Sequence, residues 1–254
     1  MESVLIKIGG RAATDETAFK HLAREMKKLQ GNYKFFFVHG GGAEVTKISS
    51  VFGLKAEFEN GVRKTSPEEM EVVDMVLGGK MNKYIVRIFA AEGLRPVGIS
   101  GCDGNIFTGT AIAEGSRTGR ITNANPELLE LLSSGGYLPV ISSISMDMEG
   151  TALNINADEA ALATAASLRA DKLIFISDIP GILEDGAVIH KLTPEGIRQK
   201  IKDGVISGGM IPKAESSIEA LNKGVGSVII GGYSSFGDLE SLIGGKLGSD
   251  ITRD

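Results

Sequence analysis

Cysteine, long apolar runs and clustered positive charge are all scarce in this sequence of 254 residues. The one cysteine, Cys102, cannot form an intramolecular disulfide, which favours a reducing compartment. No apolar stretch approaches the roughly 18 residues that a membrane helix needs. The first predicted strand begins at Val4, which leaves no room for a signal peptide. We therefore expect a cytoplasmic protein that has no membrane partner.

Basic residues are too few and too scattered for a nucleic-acid surface. The chain has 27 Lys and Arg against 32 Asp and Glu, for a net charge of −5. Binding to nucleic acid that is independent of base sequence needs a patch of basic residues on the protein surface. The composition therefore argues against a nucleic-acid partner.

Glycine, by contrast, is abundant, at 34 of 254 residues where about 7% is usual. Two strand-like runs end in it: Lys7-Ile-Gly-Gly10 and His39-Gly-Gly-Gly42, and helical sequence follows each. Glycine lets successive N–H groups converge on an anion, and the start of a helix adds its positive dipole end. The pair of loops predicts that the protein holds a multiply charged phosphate.

Strands and helices alternate along the sequence, which indicates an α/β protein with a mainly parallel sheet covered on both faces. The predicted strands are Val4–Ile8, Phe35–Val38, Pro96–Ile99, Leu138–Ile141, Leu173–Ile176 and Ser227–Ile230. The predicted helices are Asp15–Leu29, Ala43–Phe52, Pro126–Ser133, Ala157–Leu168, Pro194–Lys202 and Lys213–Lys223, with a longer one from Pro67 towards Glu92. A hairpin is predicted within Lys55–Ser66, around the turn at Asn60 and Gly61.

The common nucleotide-binding motifs are missing. Neither Gly78-Gly-Lys80 nor Gly244-Gly-Lys246 has the leading glycine and following hydroxyl of a Walker A loop. The dinucleotide fingerprint fails at Val45, where a third glycine is needed. The His-Arg-Asp and Asp-Phe-Gly motifs of protein kinases do not occur.

Three other segments carry polar residues suited to a phosphate site. Asn154-Ile-Asn156-Ala-Asp158 sets three short polar side chains at alternate positions before a helix. Ser207-Gly-Gly-Met-Ile-Pro-Lys213 sets a lysine at a helix start, where the dipole opposes a cation and an anionic ligand would favour it. Ser177-Asp-Ile-Pro-Gly-Ile182 follows a strand, where open α/β sheets bind ligands.

These motifs, together with Asn60-Gly-Val-Arg63, occur in an order that resembles the amino acid kinase superfamily, and within it the acetylglutamate kinases. The likeness spans residues 3 to about 252. It implies an open αβα sandwich around a mainly parallel, roughly eight-stranded sheet. It also implies a single domain over residues 1–254. A lobe of about residues 1–170 would bind the acyl acceptor and dimerise, and a lobe of about 171–254 would bind nucleotide.

The resemblance also implies a reaction: direct in-line transfer of the ATP γ-phosphoryl group to the γ-carboxylate of N-acetyl-L-glutamate, in arginine biosynthesis. Lys7 and Lys213 would stabilise the negative charge on the phosphoryl group during its transfer. Asp158 would accept hydrogen bonds from both lysines and fix their positions. The plainer interpretation of Asp158 is a helix cap.

Binding residues follow from the same resemblance. N–H groups of Gly10, Gly41 and Gly42 would hold the phosphoryl oxygens and the acceptor carboxylate. Arg63 would fork onto the α-carboxylate and Asn154 would bind near the amide, although Arg63 could also be an ordinary hairpin charge. Mg²⁺ would ride on the ATP phosphates rather than in a protein cage. The ATP-binding residues would be Asp178, Ile179, Pro180, Gly181, Ile182, Leu183, Val205, Ile206 and Ser207.

Two alternatives remain open at this point. One is a kinase of the same superfamily that acts on α-aminoadipate carried on a protein, in lysine biosynthesis. The segment Lys64-Thr65-Ser66 departs from the usual valine-threonine after Arg63, which bears on the acceptor side. The other is a non-catalytic sensor or partner-binding protein of the same fold.

A homodimer is expected, because the extra N-terminal helix of arginine-inhibited hexameric relatives is absent. His39 is expected to be a hydrogen-bonded structural residue rather than a base.

Overall fold

An eight-stranded sheet is the centre of the computed structural model, which describes residues 1–9, 13, 15–59 and 61–253. The strands are β1 Glu2–Ile8, β2 Tyr33–His39, β3 Glu57–Glu59, β4 Val62–Lys64, β5 Pro96–Ser100, β6 Phe107–Ala111, β7 Thr118–Ala124, β8 Leu138–Ser142, β9 Ile144–Met146, β10 Ala152–Ile155, β11 Lys172–Ile176, β12 Leu183–Glu184, β13 Ala187–Val188, β14 Lys191–Leu192, β15 Ser227–Gly231 and β16 Ser249–Ile251.

The helices cover the sheet and the loops at its edges. They are α1 Glu16–Leu29, α2 Gly42–Val51, α3 Pro67–Val73, α4 Asn82–Ala91, α5 Glu127–Ser134, α6 Ala157–Ser167, α7 Pro194–Lys202, α8 Met210–Asn222 and α9 Asp238–Ile243. None of the helices in the described ranges combines the length and apolarity that crossing a membrane requires.

The order of strands in the large sheet is β14-β16-β15-β11-β1-β2-β8-β5. Every neighbouring pair is parallel except β15 with β16. The predicted α/β class, with a mainly parallel eight-stranded sheet, is confirmed. The central strand β1 pairs with β2 and β11, so that Lys7 lies beside Val38 on one side and Phe175 on the other. Residues at the carboxyl end of β1 are therefore in the middle of the sheet edge where the loops converge.

Alternation along β1 separates two apolar cores, one on each face of the sheet. Val4, Ile6 and Ile8 pack with Phe19 and other residues of α1 on one face. Leu5 packs on the other face, in a cluster that contains residues of α6 and α8. Because successive side chains of a strand point to opposite faces, Lys7 points to the α6 and α8 face.

A second sheet, of order β6-β7-β10-β9, was not predicted from the sequence. Residues 107–124 lack a strong apolar run, and β7 carries a β-bulge where the register with β6 shifts between Thr108 and Gly109. The predicted hairpin within Lys55–Ser66 is confirmed as the antiparallel pair β3 and β4. Its turn residue Asn60 lies outside the described residues.

Two helix predictions need correction in detail. The helix from Pro67 does run on to Ala91, but the stretch Asp74–Met81 between α3 and α4 is π-helical. Gly78 in this stretch allows close packing, since a Cβ there would lie 3.2 Å from Ile144 Cδ1. Helix α8 begins at Met210 rather than at Lys213, so Lys213 is the fourth helical residue, still in the first turn.

Candidate active site

Lys7, Asp158 and Lys213 come together at the edge of the central strand, and we call them the ion triad. Lys7 Nζ lies 2.6 Å from Asp158 Oδ1, and Lys213 Nζ lies 3.3 Å from Asp158 Oδ2. Lys7 is near the end of β1, while Asp158 and Lys213 are in the first turns of α6 and α8. Asn156 caps α6 by accepting the Asp158 N–H at 2.8 Å, so the cap is Asn156 and the Asp158 carboxylate is left for the lysines.

The electrostatics of the ion triad leave one positive charge uncompensated. Burial by itself would raise the pKa of Asp158, but the ammonium groups of Lys7 and Lys213 outweigh it and hold that pKa below its usual value. Burial and the charge of Lys7 lower the pKa of Lys213, and Asp158 opposes that effect. Two ammonium groups facing one carboxylate make a site that attracts an anion.

The glycine loop after β2 brings backbone close to this site. Gly41 is the N-cap of α2 and Gly42 its first residue, so backbone N–H groups without partners inside the helix start here. A Cβ on Gly41 would lie only 2.8 Å from Leu77 Cδ2 and 3.1 Å from Met81 Cγ in the π-helical stretch. A larger residue at position 41 would therefore have to displace the Leu77 and Met81 side chains. Gly10, the third predicted anion-binding glycine, lies outside the described residues.

Beside this loop is a cavity of about 170 Å³, which we call the glycine-loop pocket. Its polar lining comes from Arg63, Thr118, Ser143, Asn154 and Asn156. Its apolar lining comes from Val45, Phe58, Val62, Leu77 and Ile155. No Asp or Glu is among the described residues that line it. The pocket is thus suited to a ligand with carboxylate and amide groups rather than to a free amine.

Arg63 is a buried wall of the glycine-loop pocket rather than a hairpin surface charge. Its Nη1 pairs with Glu69 Oε1 at 2.6 Å, and its Nη2 donates to the Gly42 carbonyl at 3.0 Å and to Thr46 Oγ1. The guanidinium also lies 4.8 Å from the centroid of the Phe58 ring. Three of the five N–H donors of the guanidinium are thereby used, and two remain for a ligand.

Two threonines that were not predicted as binding residues organise the rest of the pocket. Asn154 Nδ2 donates to Thr65 Oγ1 at 2.9 Å. Thr118 Oγ1 donates to the Arg63 carbonyl at 2.7 Å and accepts the Thr65 N–H at 2.9 Å. The signal for Thr65 was its place two residues after Arg63, whereas no pattern marked Thr118 or Ser143.

His39 supports the glycine loop and is not placed as a base. Its Nδ1 donates to the Gly40 carbonyl at 2.8 Å, and its Nε2 accepts from Asn82 Nδ2 at 3.1 Å, which fits one neutral tautomer. Burial lowers the pKa of His39 to about 4. The ring is therefore neutral at physiological pH, in agreement with the expected structural role.

Six of the residues predicted to bind nucleotide line a cleft or are at least partly exposed. Asp178, Ile179 and Pro180 line a larger cleft of about 530 Å³, together with the segment 232–234 that follows β15. Ser207 is exposed and Val205 half-buried just before α8, while Leu183 is exposed at the start of β12.

The other predicted nucleotide residues, Gly181, Ile182 and Ile206, have no side chain available to a ligand. Ile182 and Ile206 are 2% and 1% exposed and belong to the apolar core. A Cβ on Gly181 would lie 2.7 Å from Val188 Cγ1. Only backbone groups of these three residues could meet a nucleotide.

Comparisons with known proteins identify the family of this chain. The model of the amino acid kinase family matches residues 2–232. The acetylglutamate kinase of Bacillus licheniformis is 40% identical over 253 residues, which cover 97% of this chain and 96% of that protein. A crystal structure from Streptococcus mutans has a TM-score of 0.79 at 29% identity and covers 99% of both chains. The carbamate kinase of Giardia has a TM-score of 0.72 at 18% identity, covers 100% of this chain and 99% of its own, and shows likeness of fold alone. This chain belongs to the amino acid kinase family.

Proposed function

We propose that the protein is an acetylglutamate kinase, which transfers the γ-phosphoryl group of ATP to the γ-carboxylate of N-acetyl-L-glutamate in arginine biosynthesis. The observation that carries the proposal is the ion triad, in which two ammonium groups share one carboxylate at the end of the central strand. Further support comes from relatives about 40% identical over most of their length that bear this name. Use of ATP follows from membership of a kinase family.

The transfer needs alignment and neutralisation of charge rather than covalent catalysis by the protein. A carboxylate oxygen of the acceptor attacks the γ-phosphorus, the bond from that phosphorus to the bridging oxygen breaks, and ADP leaves with the electron pair. Lys7 and Lys213 stabilise the negative charge on the three equatorial oxygens, and Asp158 fixes the positions of the two ammonium groups. Backbone N–H groups of Gly10, Gly41 and Gly42 bind the same oxygens and the attacking carboxylate.

The acceptor is bound as an N-acyl acid in the glycine-loop pocket. Arg63 offers a remaining N–H donor to the α-carboxylate, and Asn154 binds near the amide. A free α-ammonium group would enter a pocket whose described lining offers no carboxylate, and an unpaired desolvated charge costs several kcal/mol. The lining therefore supports N-acetyl-L-glutamate over free amino acids, but it also accommodates the alternative acceptor, carrier-bound α-aminoadipate.

We also propose that the nucleotide lies along Asp178–Leu183 and Val205–Ser207, and that Mg²⁺ arrives on its phosphates. Among the described residues, no group of three or more His, Cys, Asp or Glu side chains could hold a metal ion, so no step is assigned to a metal held by the protein. When bound, Mg²⁺ neutralises phosphate charge. The division of the single domain into an acceptor lobe of about residues 1–170 and a nucleotide lobe of about 171–254 follows from these assignments.

We also propose that the protein is a homodimer and that it is cytoplasmic. The dimer is supported by large apolar side chains that are exposed on two elements that pack together. They are Phe52 at the end of α2 and Met75 in the π-helical stretch. Light scattering after size exclusion tests the mass. The support for the location is that Cys102 is a free thiol.

The test is a panel of acids, assayed by ADP release and by trapping of the acyl phosphate with hydroxylamine. N-acetyl-L-glutamate should turn over, while L-glutamate and N-acetyl-L-aspartate should be poor acceptors. Lys213→Ala is the control for contaminating kinases. Turnover with carrier-bound α-aminoadipate alone would support the lysine-pathway alternative. Absence of turnover with every acid would favour the non-catalytic sensor.

A further inference from the structure

A buried aromatic ring lies beneath one ammonium group of the ion triad. The ring is that of Phe175 in β11, which is 0% exposed, and its centroid is 5.0 Å from Lys213 Nζ. The parallel register sets Phe175 beside Lys7 on the neighbouring strand, so both side chains point to the same face of the sheet. The ring therefore lies directly beneath the ion triad, on the face of the sheet to which Lys7 points.

Lys213 has less compensation for its charge than Lys7 has. Both share Asp158, but the Lys213 ammonium is 3.3 Å from its carboxylate oxygen and that of Lys7 is 2.6 Å from its own. Lys213 is also in the first turn of α8, where the helix dipole repels a cation. The Lys213 side chain is only 15% exposed, so water solvates its charge weakly. Before an anionic ligand binds, Asp158 therefore compensates this charge only in part.

We propose that the face of Phe175 is a positioning element for catalysis, which holds the Lys213 ammonium in place by cation–π attraction and leaves its N–H donors free for the transferring phosphoryl group. The proposal rests on the kinase function proposed above. Phe175 touches neither substrate nor phosphate in this role and acts through Lys213.

The physical advantage of a ring over a second carboxylate is twofold. A lysine ammonium has three donors, of which Asp158 uses one, and a ring attracts the charge without requiring a directed hydrogen bond. A ring is also neutral, so it does not cancel the one positive charge by which the ion triad attracts phosphate. A second carboxylate would occupy another donor and remove that charge.

The experiment changes the charge distribution of the ring and keeps its shape. Phenylalanine at position 175 is replaced by 4-fluoro-, 3,5-difluoro- and 3,4,5-trifluorophenylalanine, which make the ring face progressively less negative. We expect kcat to fall at each step, to about three- to tenfold below wild type for the trifluoro ring, with both KM values within about twofold. The matched control is the same series at Phe107, which is also fully buried in the same apolar cluster and should show a flat kcat.

A second measurement does not depend on turnover. In protein labelled with ¹³C at lysine Cε, NMR titration gives the pKa of Lys213, assigned by its loss in Lys213→Arg. A weaker ring face stabilises the ammonium less, so this pKa should fall along the series at position 175 and stay constant along the series at position 107. A constant kcat together with a constant pKa would overturn the proposal. A falling pKa in a protein that phosphorylates none of the acids would support the ring contact and reject the kinase function.

Discussion

Gly9→Ala is the substitution that most directly tests the placement of the Lys7 ammonium. A Cβ on Gly9 would lie 2.6 Å from Lys7 Nζ, with Lys7 Cε next at 3.7 Å and the Ile176 carbonyl at 3.8 Å. The φ angle of Gly9 is not in the left-handed region, so alanine is free of backbone strain there. The single conflict is with the end of a flexible side chain, which is also the group assigned to the transition state.

The expected magnitude follows from the distances. A carbon and a nitrogen that are not hydrogen-bonded pack at about 3.5–4 Å, so the ammonium must retreat by about 1 Å. A displacement of that size typically costs about 10² in rate, which corresponds to about 2.7 kcal/mol of lost transition-state stabilisation. Stability should change little, because the reduced entropy of the unfolded chain offsets a weakened ion pair with Asp158.

The assay is steady-state ADP release with both substrates varied, accompanied by thermal unfolding. Gly31→Ala is the matched control, because a Cβ there meets nothing within 4 Å and φ is again not left-handed. We expect kcat about 10²-fold lower for Gly9→Ala, wild-type kcat for Gly31→Ala, and Tm values within a few degrees of each other.

The effect of Gly9→Ala should disappear when Lys7 is absent. In a Lys7→Ala background, adding Gly9→Ala should cost nothing further, since no ammonium remains to be displaced. Near-normal kcat in the single variant, or losses that add in the double variant, would refute the placement of Lys7.

Three further predictions concern other parts of the site. Lys213→Ala should lower kcat by about 10²–10³, the usual loss for one preorganised donor, and near-normal turnover would show that its role is misassigned. Arg63→Ala should raise the KM for the acid and leave that for ATP unchanged, while lowering Tm because Glu69 loses its partner; adding Glu69→Gln should recover Tm and not KM. Because the pKa of buried His39 is about 4, below the 6.5 of an unfolded histidine, the unfolded chain takes up a proton first as pH falls. The free energy of unfolding should thus drop between pH 6.5 and 4, by at most about 3 kcal/mol. Urea titrations at a series of pH values should show that this free energy depends less on pH in His39→Gln than in the wild type.

The large sheet could be predicted from local patterns, whereas the ion triad was an implication of the family resemblance. Buried parallel strands are continuous apolar runs, and Lys7 follows directly from the position of one of them. Asp158 and Lys213 could be placed in the first turn of a helix, because Asn156 precedes one helix and the Gly208-Gly209 turn precedes the other. Parallel strands bring their carboxyl ends to one edge, which is why motifs far apart in sequence could be expected to meet there.

Features that depend on packing between distant segments could not be predicted. The second sheet is made of short strands whose apolar faces become apparent only when they lie against α6. Phe175 looks like any core residue until α8 brings Lys213 over its ring. Arg63 has the sequence of an exposed hairpin, and its burial depends on Glu69 in the next helix.

The position of β16 in the large sheet has a consequence for how the protein is made. This strand is inserted between β15 and β14, and β14 has no other neighbour in the sheet. A ribosome must therefore synthesise α7, α8, β15 and α9 before β14 can find its partner. Closing so long a loop is slow. The β14 edge should thus be the last part of the sheet to gain protection from amide hydrogen exchange in pulse-labelling experiments, and nascent chains arrested before Ser249 should expose the unpaired edge of β15 to chaperones.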